Sequence, residues 1–219
     1  PLEVLKAIRE AVGSDMAIEL RVSATEGIPG GLEFEESLAF MELAQEYVDI
    51  MHVSQGSIFH LSARYTIPTY FREPHKPLNV DYAAEVKKHL HIPVAVVGMI
   101  TTLEEAEDII ASGKADIVAM AKSFMADGDI IHKSLAGEST EVRPCTRCDL
   151  CGNANTYGTA MSCAINPRCG IAGEIEQLPE AERKNVMVVG GGPAGMMAAQ
   201  TLVKRGHTVT LYEKADKLG

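Results

Sequence analysis

The chain has 219 residues with a net charge of −10 and 46% hydrophobic content, enough to bury a core as one large domain or two smaller ones. The acidic balance argues against nucleic acid or an anionic membrane surface as the main partner, and no apolar run reaches the length of a membrane span. The five cysteines are clustered and no secretory signal precedes them, which points to the cytosol; the opening Pro1-Leu2-Glu3 without an initiator Met is what a processed or partial chain would show.

Residues 1–140 alternate short β-rich apolar runs with helical patterns, the signature of βα units on a parallel sheet. Leu2, Leu5, Ile8, Ala11 and Val12 share one face of a first helix that Gly13 ends. Strands are expected over 17–22, 48–53, 93–97 and 116–120. Ser37 is a candidate cap for a helix striped by Leu38, Met41 and Val48. Thr101 and Thr102 stand at capping-box spacing from Glu104 and Glu105, so a helix striped by Leu103, Ala106, Ile109 and Ile110 should begin there. Four βα units in this length match the density of a (β/α)8 barrel, whose eight units need about 250 residues, so the region reads as half a barrel. A flavodoxin-like sheet is the alternative.

Polar residues fall where these strands end: Arg21 and Ser23, His52 and Ser54, Gly98, and Lys122. Barrel enzymes build their sites at that edge and often hold a phosphate after the last two strands. Gly98 ahead of a helix N-terminus suits an anion, or is a simple tight turn. Arg21 is a ligand-facing cation or a strand-end surface charge. The long Gly- and Pro-containing stretch 54–78 reads as a binding lid, with His60 and Arg64 as its chemically useful members unless that His is incidental.

Cys145, Cys148, Cys151 and Cys163 form a C-x2-C-x2-C-x11-C pattern. Thiols this close cannot all pair as disulfides, but they can converge on one metal centre. Three closely spaced cysteines with a distant fourth are the habit of a [4Fe–4S] cluster. Structural zinc, which favours two separated C-x2-C knuckles, and ordinary buried thiols are the other readings. Cys169 reads as a plain buried thiol or a substitute ligand.

After a charged linker over 178–184, a strand over 185–189 runs into Gly190-Gly191-Gly192-Pro193-Ala194-Gly195, a helix over 196–205 closed by Gly206, and a strand over 209–212 ending at Glu213. This is the dinucleotide fingerprint in its full context. Gly190 allows the tight turn, Gly192 lets the backbone approach a pyrophosphate, Gly195 lets helix pack on strand, and Glu213 can take ribose hydroxyls. The domains are therefore expected at 1–140, 141–177 and 178–219: the C-terminal half of a TIM barrel, a cysteine-rich cluster segment, and the start of a Rossmann-like FAD/NAD(P)-binding domain.

In this order, the segments ELRVS (19–23), GG (30–31), DIMHVS (49–54), PVAVVG (93–98), ADIV (115–118), FMAD (124–127), RPC (143–145) and CAINP (163–167) resemble the Old Yellow Enzyme-related iron–sulfur flavoenzymes. That family includes 2,4-dienoyl-CoA reductase, trimethylamine dehydrogenase, and enoate and bile-acid reductases. The resemblance implies FMN in the barrel, a [4Fe–4S] cluster beside it, FAD on the Rossmann-like part and NAD(P)H as electron donor. Arg21 would meet the FMN ring, Gly98 and the turn at Ala121-Lys122 would hold its phosphate, and His60 would correspond to a substrate-side His. The family usually has Gly-Arg where this chain has Ala121-Lys122, which keeps a charge but loses the bidentate fork. The cysteine spacing is closer to the trimethylamine dehydrogenase type. The implied function is reduction of an activated C=C bond in an enoate, dienoyl-CoA, or enone or steroid substrate. An amine dehydrogenase, or a non-catalytic electron-transfer or zinc module, is the alternative. The expected partners are a small unsaturated substrate and the remainder of the same chain, with self-association into a homo-oligomer allowed. By itself this stretch is expected to be inactive, with half a barrel and a cut Rossmann-like part.

Overall fold

The computed structural model describes residues 1–57, 78–152, 158–176 and 182–219, in two compact units, 1–170 and 171–219. His60 and Arg64 lie outside the described residues.

In the first unit, helix α1 (Leu2–Val12) leads to strand β1 (Glu19–Ser23), then α2 (Phe34–Ala44), β2 (Ile50–Ser54), α3 (Val80–His89), β3 (Val94–Val97), α4 (Leu103–Ala111) and β4 (Ile117–Ala119). Two short helices, α5 (Ala121–Ala126) and α6 (Ile130–Leu135), precede the cysteine loop. The sheet is parallel with strands in chain order, β1-β2-β3-β4. A flavodoxin-like sheet would reverse direction at a switch point in its order, and none occurs among the described strands.

Strand alternation sorts the sheet into two faces. Met51, Val53, Val94 and Val96 are fully buried on one face. They join Met41 and Ala44 of α2, Ala83 and Val86 of α3 and Ile109 of α4 in a single apolar core. Each large buried side chain contributes roughly 1.5–3 kcal/mol. The opposite face carries the row Arg21, His52, Ala95, Ile117 in register, flanked by Glu19 and by Ser23 beside Ser54. The polar residues of the unit's sheet are therefore gathered on one side.

Register is pinned at the strand starts by a repeated device. Asp49, just before β2, accepts the Ile18 N–H at 2.7 Å ahead of β1 and pairs with Arg9 of α1 at 2.5 Å. Asp116, just before β4, accepts the Val94 N–H at 2.9 Å and pairs with Lys87 of α3 at 2.7 Å. Each carboxylate ties one strand to its predecessor and to a helix, and these contacts hold both carboxyl groups below the usual aspartate range.

Helix α4 starts as the sequence implies: Thr102 Oγ1 accepts the Glu105 N–H at 3.1 Å, and the Glu105 carboxylate accepts the Thr102 N–H at 3.2 Å. Helix α2 differs. It begins three residues before Ser37, with the Glu33 N–H donating to Glu36 at 3.2 Å. Ser37 is fully buried and its hydroxyl donates to the Ser23 carbonyl at 2.9 Å, so it fastens α2 to the end of β1 instead of capping the helix.

In the second unit, α7 (Ala172–Glu176) precedes β5 (Asn185–Val189), α8 (Pro193–Lys204) and β6 (Thr208–Tyr212), with β5 and β6 paired in parallel over their whole length. The connection is a βαβ crossover of the kind the glycine pattern predicts.

Asp127 anchors the approach to the cysteine loop. It is 1% exposed and accepts Lys133 Nζ at 2.6 Å and the backbone N–H groups of Asp129 and Arg143 at 3.1 and 3.0 Å. Burial alone would raise its carboxyl pKa, but Lys133 and the two N–H groups outweigh burial and hold it below the ordinary value. An acid whose folded pKa is depressed stabilises above its unfolded pKa, and loses that contribution as pH falls through about 3.9 and below. Asp127→Ala is expected to lower stability by about 2 kcal/mol at neutral pH, from the loss of three hydrogen bonds to a buried carboxylate. Urea denaturation at pH 7 and again near pH 3 checks this: the difference between wild type and variant should shrink at the lower pH.

Candidate functional site

A cleft of about 280 Å³ opens at the carboxyl ends of the four parallel strands. Its walls include Arg21 from β1, Ser54 from β2, Asn79 from the start of α3, Val97-Gly98-Met99-Ile100-Thr101 after β3, and Ala119 to Lys122 after β4. Cys145 and Arg147 of the cysteine loop complete it. Arg21, Gly98, Ala121 and Lys122, chosen from the sequence as cofactor-holding residues, are thus brought to one cleft. Among its described lining residues are three cations, Arg21, Lys122 and Arg147, and no carboxylate, in a chain whose net charge is −10. Such a concavity concentrates positive potential and favours an anionic ligand.

Gly98 is required by its surroundings. Its φ is +129°, and a Cβ there would lie 2.6 Å from Asn79 Nδ2. That amide donates to the Val97 carbonyl, while Asn79 Oδ1 is buried without a hydrogen-bond partner. An orphaned acceptor on the wall of a cleft is a place for a ligand donor. The N-terminus of α4, however, is already supplied with a negative group of its own. Glu105 accepts the N–H groups of Thr101 and Thr102, and these contacts with the Thr101 hydroxyl and Arg147 overcome burial to keep it ionised more readily than usual. Positive charge for an anion therefore comes from side chains as well as from this helix end.

Lys122 is in an ion pair with Asp149 of the cysteine loop. Arg147 Nη2 donates to the Met99 carbonyl at 2.7 Å and to Thr101 Oγ1 at 3.1 Å, and lies 4.0 Å from Glu105. Nothing in the sequence singled out Arg147, because a residue inside C-x2-C reads as spacer. His52, facing the same side of the sheet, hydrogen-bonds Glu19 through Nδ1 at 2.5 Å, and its Nε2 is buried without a partner. Burial lowers its pKa more than Glu19 raises it, so the contact joins a neutral imidazole to a carboxylate.

The cysteine loop is held from its other side by Asn166, whose Nδ2 donates to the Met125 carbonyl at 2.8 Å and whose Oδ1 accepts Arg143 Nη1 at 3.0 Å. This brings the segment of Cys163 against that of Cys145. Cys145 Sγ accepts the Arg147 N–H at 3.4 Å. The Leu150 N–H, with help from Thr146 and the Ala164 backbone, lowers the Cys148 pKa against the effect of burial. N–H donors aimed at sulfur stabilise a thiolate, the form that binds metal. Burial raises the Cys151 thiol, and it raises Cys169, further disfavoured by neighbouring Cys163. Among the described residues no three His, Cys, Asp or Glu side chains are gathered as for a single metal ion. Cys145, Cys148, Cys151 and Cys163 are free thiols, each partly exposed, and so available as soft donors.

In the second unit the turn after β5 has Gly190 at φ +101°. A Cβ on Gly195 would collide with the Gly190 carbonyl oxygen, whereas one on Gly192 would meet open space. Glu213, at the end of β6, accepts the Gly191 N–H at 2.5 Å and the Ala215 N–H at 2.9 Å, which lower its pKa.

Residues 1–141 match the NADH:flavin oxidoreductase / NADH oxidase family, and residues 188–219 match the NAD(P)-binding Rossmann-like domain. An NADH oxidase of Thermoanaerobacter brockii is 41% identical over 100% of this chain and 34% of its own length. The structure of a 2-naphthoyl-CoA reductase in complex with 2-naphthoyl-CoA superposes with a TM-score of 0.85 at 30% identity, covering 100% of this chain and 33% of that one. A histamine dehydrogenase from Rhizobium sp. 4-9 gives 0.82 at 27% identity, covering 100% and 32%. The chain thus spans about a third of the length of the curated relatives it matches.

The two glycines make a test of the turn. Gly195→Ala should destabilise the second unit by about 1–3 kcal/mol through overpacking, while Gly192→Ala should stay within about 0.5 kcal/mol. Thermal unfolding followed by circular dichroism distinguishes them; equal effects would contradict the turn geometry.

Proposed function

Because this chain belongs to the NADH:flavin oxidoreductase / NADH oxidase family, we propose that the protein is an NAD(P)H-dependent oxidoreductase that reduces an activated C=C bond of the enoate, dienoyl-CoA or enone type. In this reading the four-stranded parallel sheet is the C-terminal half of a (β/α)8 barrel and the second unit is the start of an FAD-binding Rossmann-like domain. FMN would occupy the cleft, a [4Fe–4S] cluster would be held by Cys145, Cys148, Cys151 and Cys163, and FAD would be held at Gly190, Gly192, Gly195 and Glu213. When bound, these groups supply hydride transfer and single-electron relay between NAD(P)H and substrate.

The observation that carries the reading is the cationic, carboxylate-free cleft with a cysteine of the loop in its wall. Arg21, at the β1 end, supplies a cation to the electron-rich edge of a flavin ring. Lys122 and Arg147 supply charge for a phosphate, and Gly98 makes room for Asn79 at the cleft wall. Cys145, from the loop that would hold the cluster, lines the same cleft, so electrons would not have to cross the protein to reach it. The alternative, oxidation of an amine, is supported by the likeness to histamine dehydrogenase. Both uses require the same cofactor-holding residues.

Anaerobically purified full-length protein is expected to contain FMN and about four irons and four acid-labile sulfides per chain. Cys148→Ala should lose the iron and sulfide, while Cys169→Ala should retain them. NAD(P)H-dependent turnover should appear with enoates or enones, and primary, secondary or tertiary amines should not reduce an added electron acceptor. Stoichiometric zinc without sulfide would overturn the cluster assignment in favour of a zinc module, and amine oxidation without enoate reduction would overturn the direction of the chemistry.

A further inference from the structure

Among the described residues, the non-glycine positions with left-handed φ are Met99 at +57°, Arg147 at +56° and Asp149 at +60°. All three belong to one junction. Arg147 and Asp149 flank Cys148 in the loop; Arg147 bonds the Met99 carbonyl and Thr101, and Asp149 holds Lys122. The Arg147 side chain is only 10% exposed. Backbone in this region is strained for L-residues and persists where surrounding contacts over-determine it. The loop is therefore fastened to the cleft at two points, through the turn after β3 and through the first turn of α5, and the strain is concentrated where it is fastened.

We propose that Arg147 and Asp149 are positioning residues that couple the two sites, so that filling the cysteine loop raises the affinity of the cleft for its phosphate-bearing flavin, and the reverse. Ligation of Cys145, Cys148 and Cys151 fixes the backbone between them. That fixes the direction of Arg147 and Asp149, and through them the Met99 carbonyl, the Thr101 hydroxyl and the Lys122 ammonium. A ligand entering the cleft then meets a rim whose ordering cost has already been met. Linkage makes the effect reciprocal. Asp149 carries a second consequence of opposite sign: it partly neutralises Lys122, so removing its charge releases a cation towards the ligand even as it cuts the link.

The inference rests on the flavin and cluster assignments made above. The test measures FMN binding by flavin fluorescence, under anaerobic conditions, to full-length protein with its cluster intact and after stripping by a chelator. Wild type should bind FMN about tenfold more tightly with the cluster present, within the usual range of coupling between sites. Arg147→Met and Asp149→Asn should each bring that ratio towards one. The stripped Asp149→Asn protein should bind FMN at least as well as stripped wild type, which a merely structural loss would not produce. Arg147→Lys should restore part of the ratio. In the reciprocal measurement, FMN should slow chelation of iron in wild type and not in the variants. A wild-type ratio of one, or the wild-type ratio in both variants, overturns the coupling. So does a variant that never takes up the cluster yet keeps the FMN affinity of loaded wild type, because the residue then serves the loop alone. Wild-type protein that takes up neither flavin nor iron sinks the underlying assignments instead, whereas independent uptake of both sinks only the coupling.

Discussion

The parallel, in-order register of the first four strands is the constraint on which the cleft depends. Because the strands run the same way, their carboxyl ends share one edge, and because side chains alternate, Arg21, His52, Ala95 and Ile117 share one face. A slip of one residue would turn Arg21 into the core and Val22 into the cleft. Asp49 and Asp116 guard against that slip at the opposite end of the sheet, each bonding a neighbour's backbone N–H while held by a basic residue. The chemistry at one edge is thus set by carboxylates at the other.

Gathering three cations in one cleft costs repulsion, and the fold reduces that cost with partners outside the lining. Lys122 has Asp149 and Arg147 has Glu105. Each pairing leaves the cation at the wall while tempering its charge, so an incoming anion competes with a carboxylate at each position. Affinity is lower than three bare cations would give, but repulsion among the cations is smaller. Lysine at position 122 fits this arrangement: a compact ammonium can be shared between Asp149 and a ligand, whereas a planar guanidinium fork commits to one geometry.

The elements were legible where a local signal is strong. The strands fall within two residues of the apolar runs, since buried parallel strands are nearly continuous in Val, Ile and Leu. Gly13 ends α1, and Thr102 with Glu105 starts α4, because caps act within one turn. Arg21, Ser54, Gly98 and Lys122, read from strand ends, come together for the same reason, whereas Ser23 and His52 from the same set do not line the cleft. What stayed hidden depends on contacts between distant segments. Ser37 looks like a cap, but its partner is the Ser23 carbonyl fourteen positions away. Arg147 looks like filler between cysteines until its 48-residue reach to Met99 is seen. Asn79 gains meaning only beside Gly98, whose missing Cβ makes room for it. Asn166 and Arg143, in the two short motifs around the cysteines, prove to be hydrogen-bonded to each other, so neither motif is explained without the other.

The turns of the two units are held in opposite ways. In the second, the turn supports itself before any ligand arrives. The Gly190 N–H donates to the Tyr212 carbonyl at 2.7 Å, the Gly191 N–H is held by Glu213, and Gly195 lets α8 close against the Gly190 carbonyl. Left-handed φ is carried there by glycine, which adopts it without strain, and the side of Gly192 that lacks a Cβ faces open space. Such a turn is preorganised by local geometry and needs no distant residue. In the first unit, beside Gly98, left-handed φ is also carried by Met99, Arg147 and Asp149, of which Arg147 bonds the Met99 carbonyl and Asp149 pairs with Lys122. A strained junction of that kind is a poor device for simple retention, because every ligand must bind against a rim that can relax. It is suited to making one occupant depend on another, since any group that fixes the loop also removes the freedom of the rim.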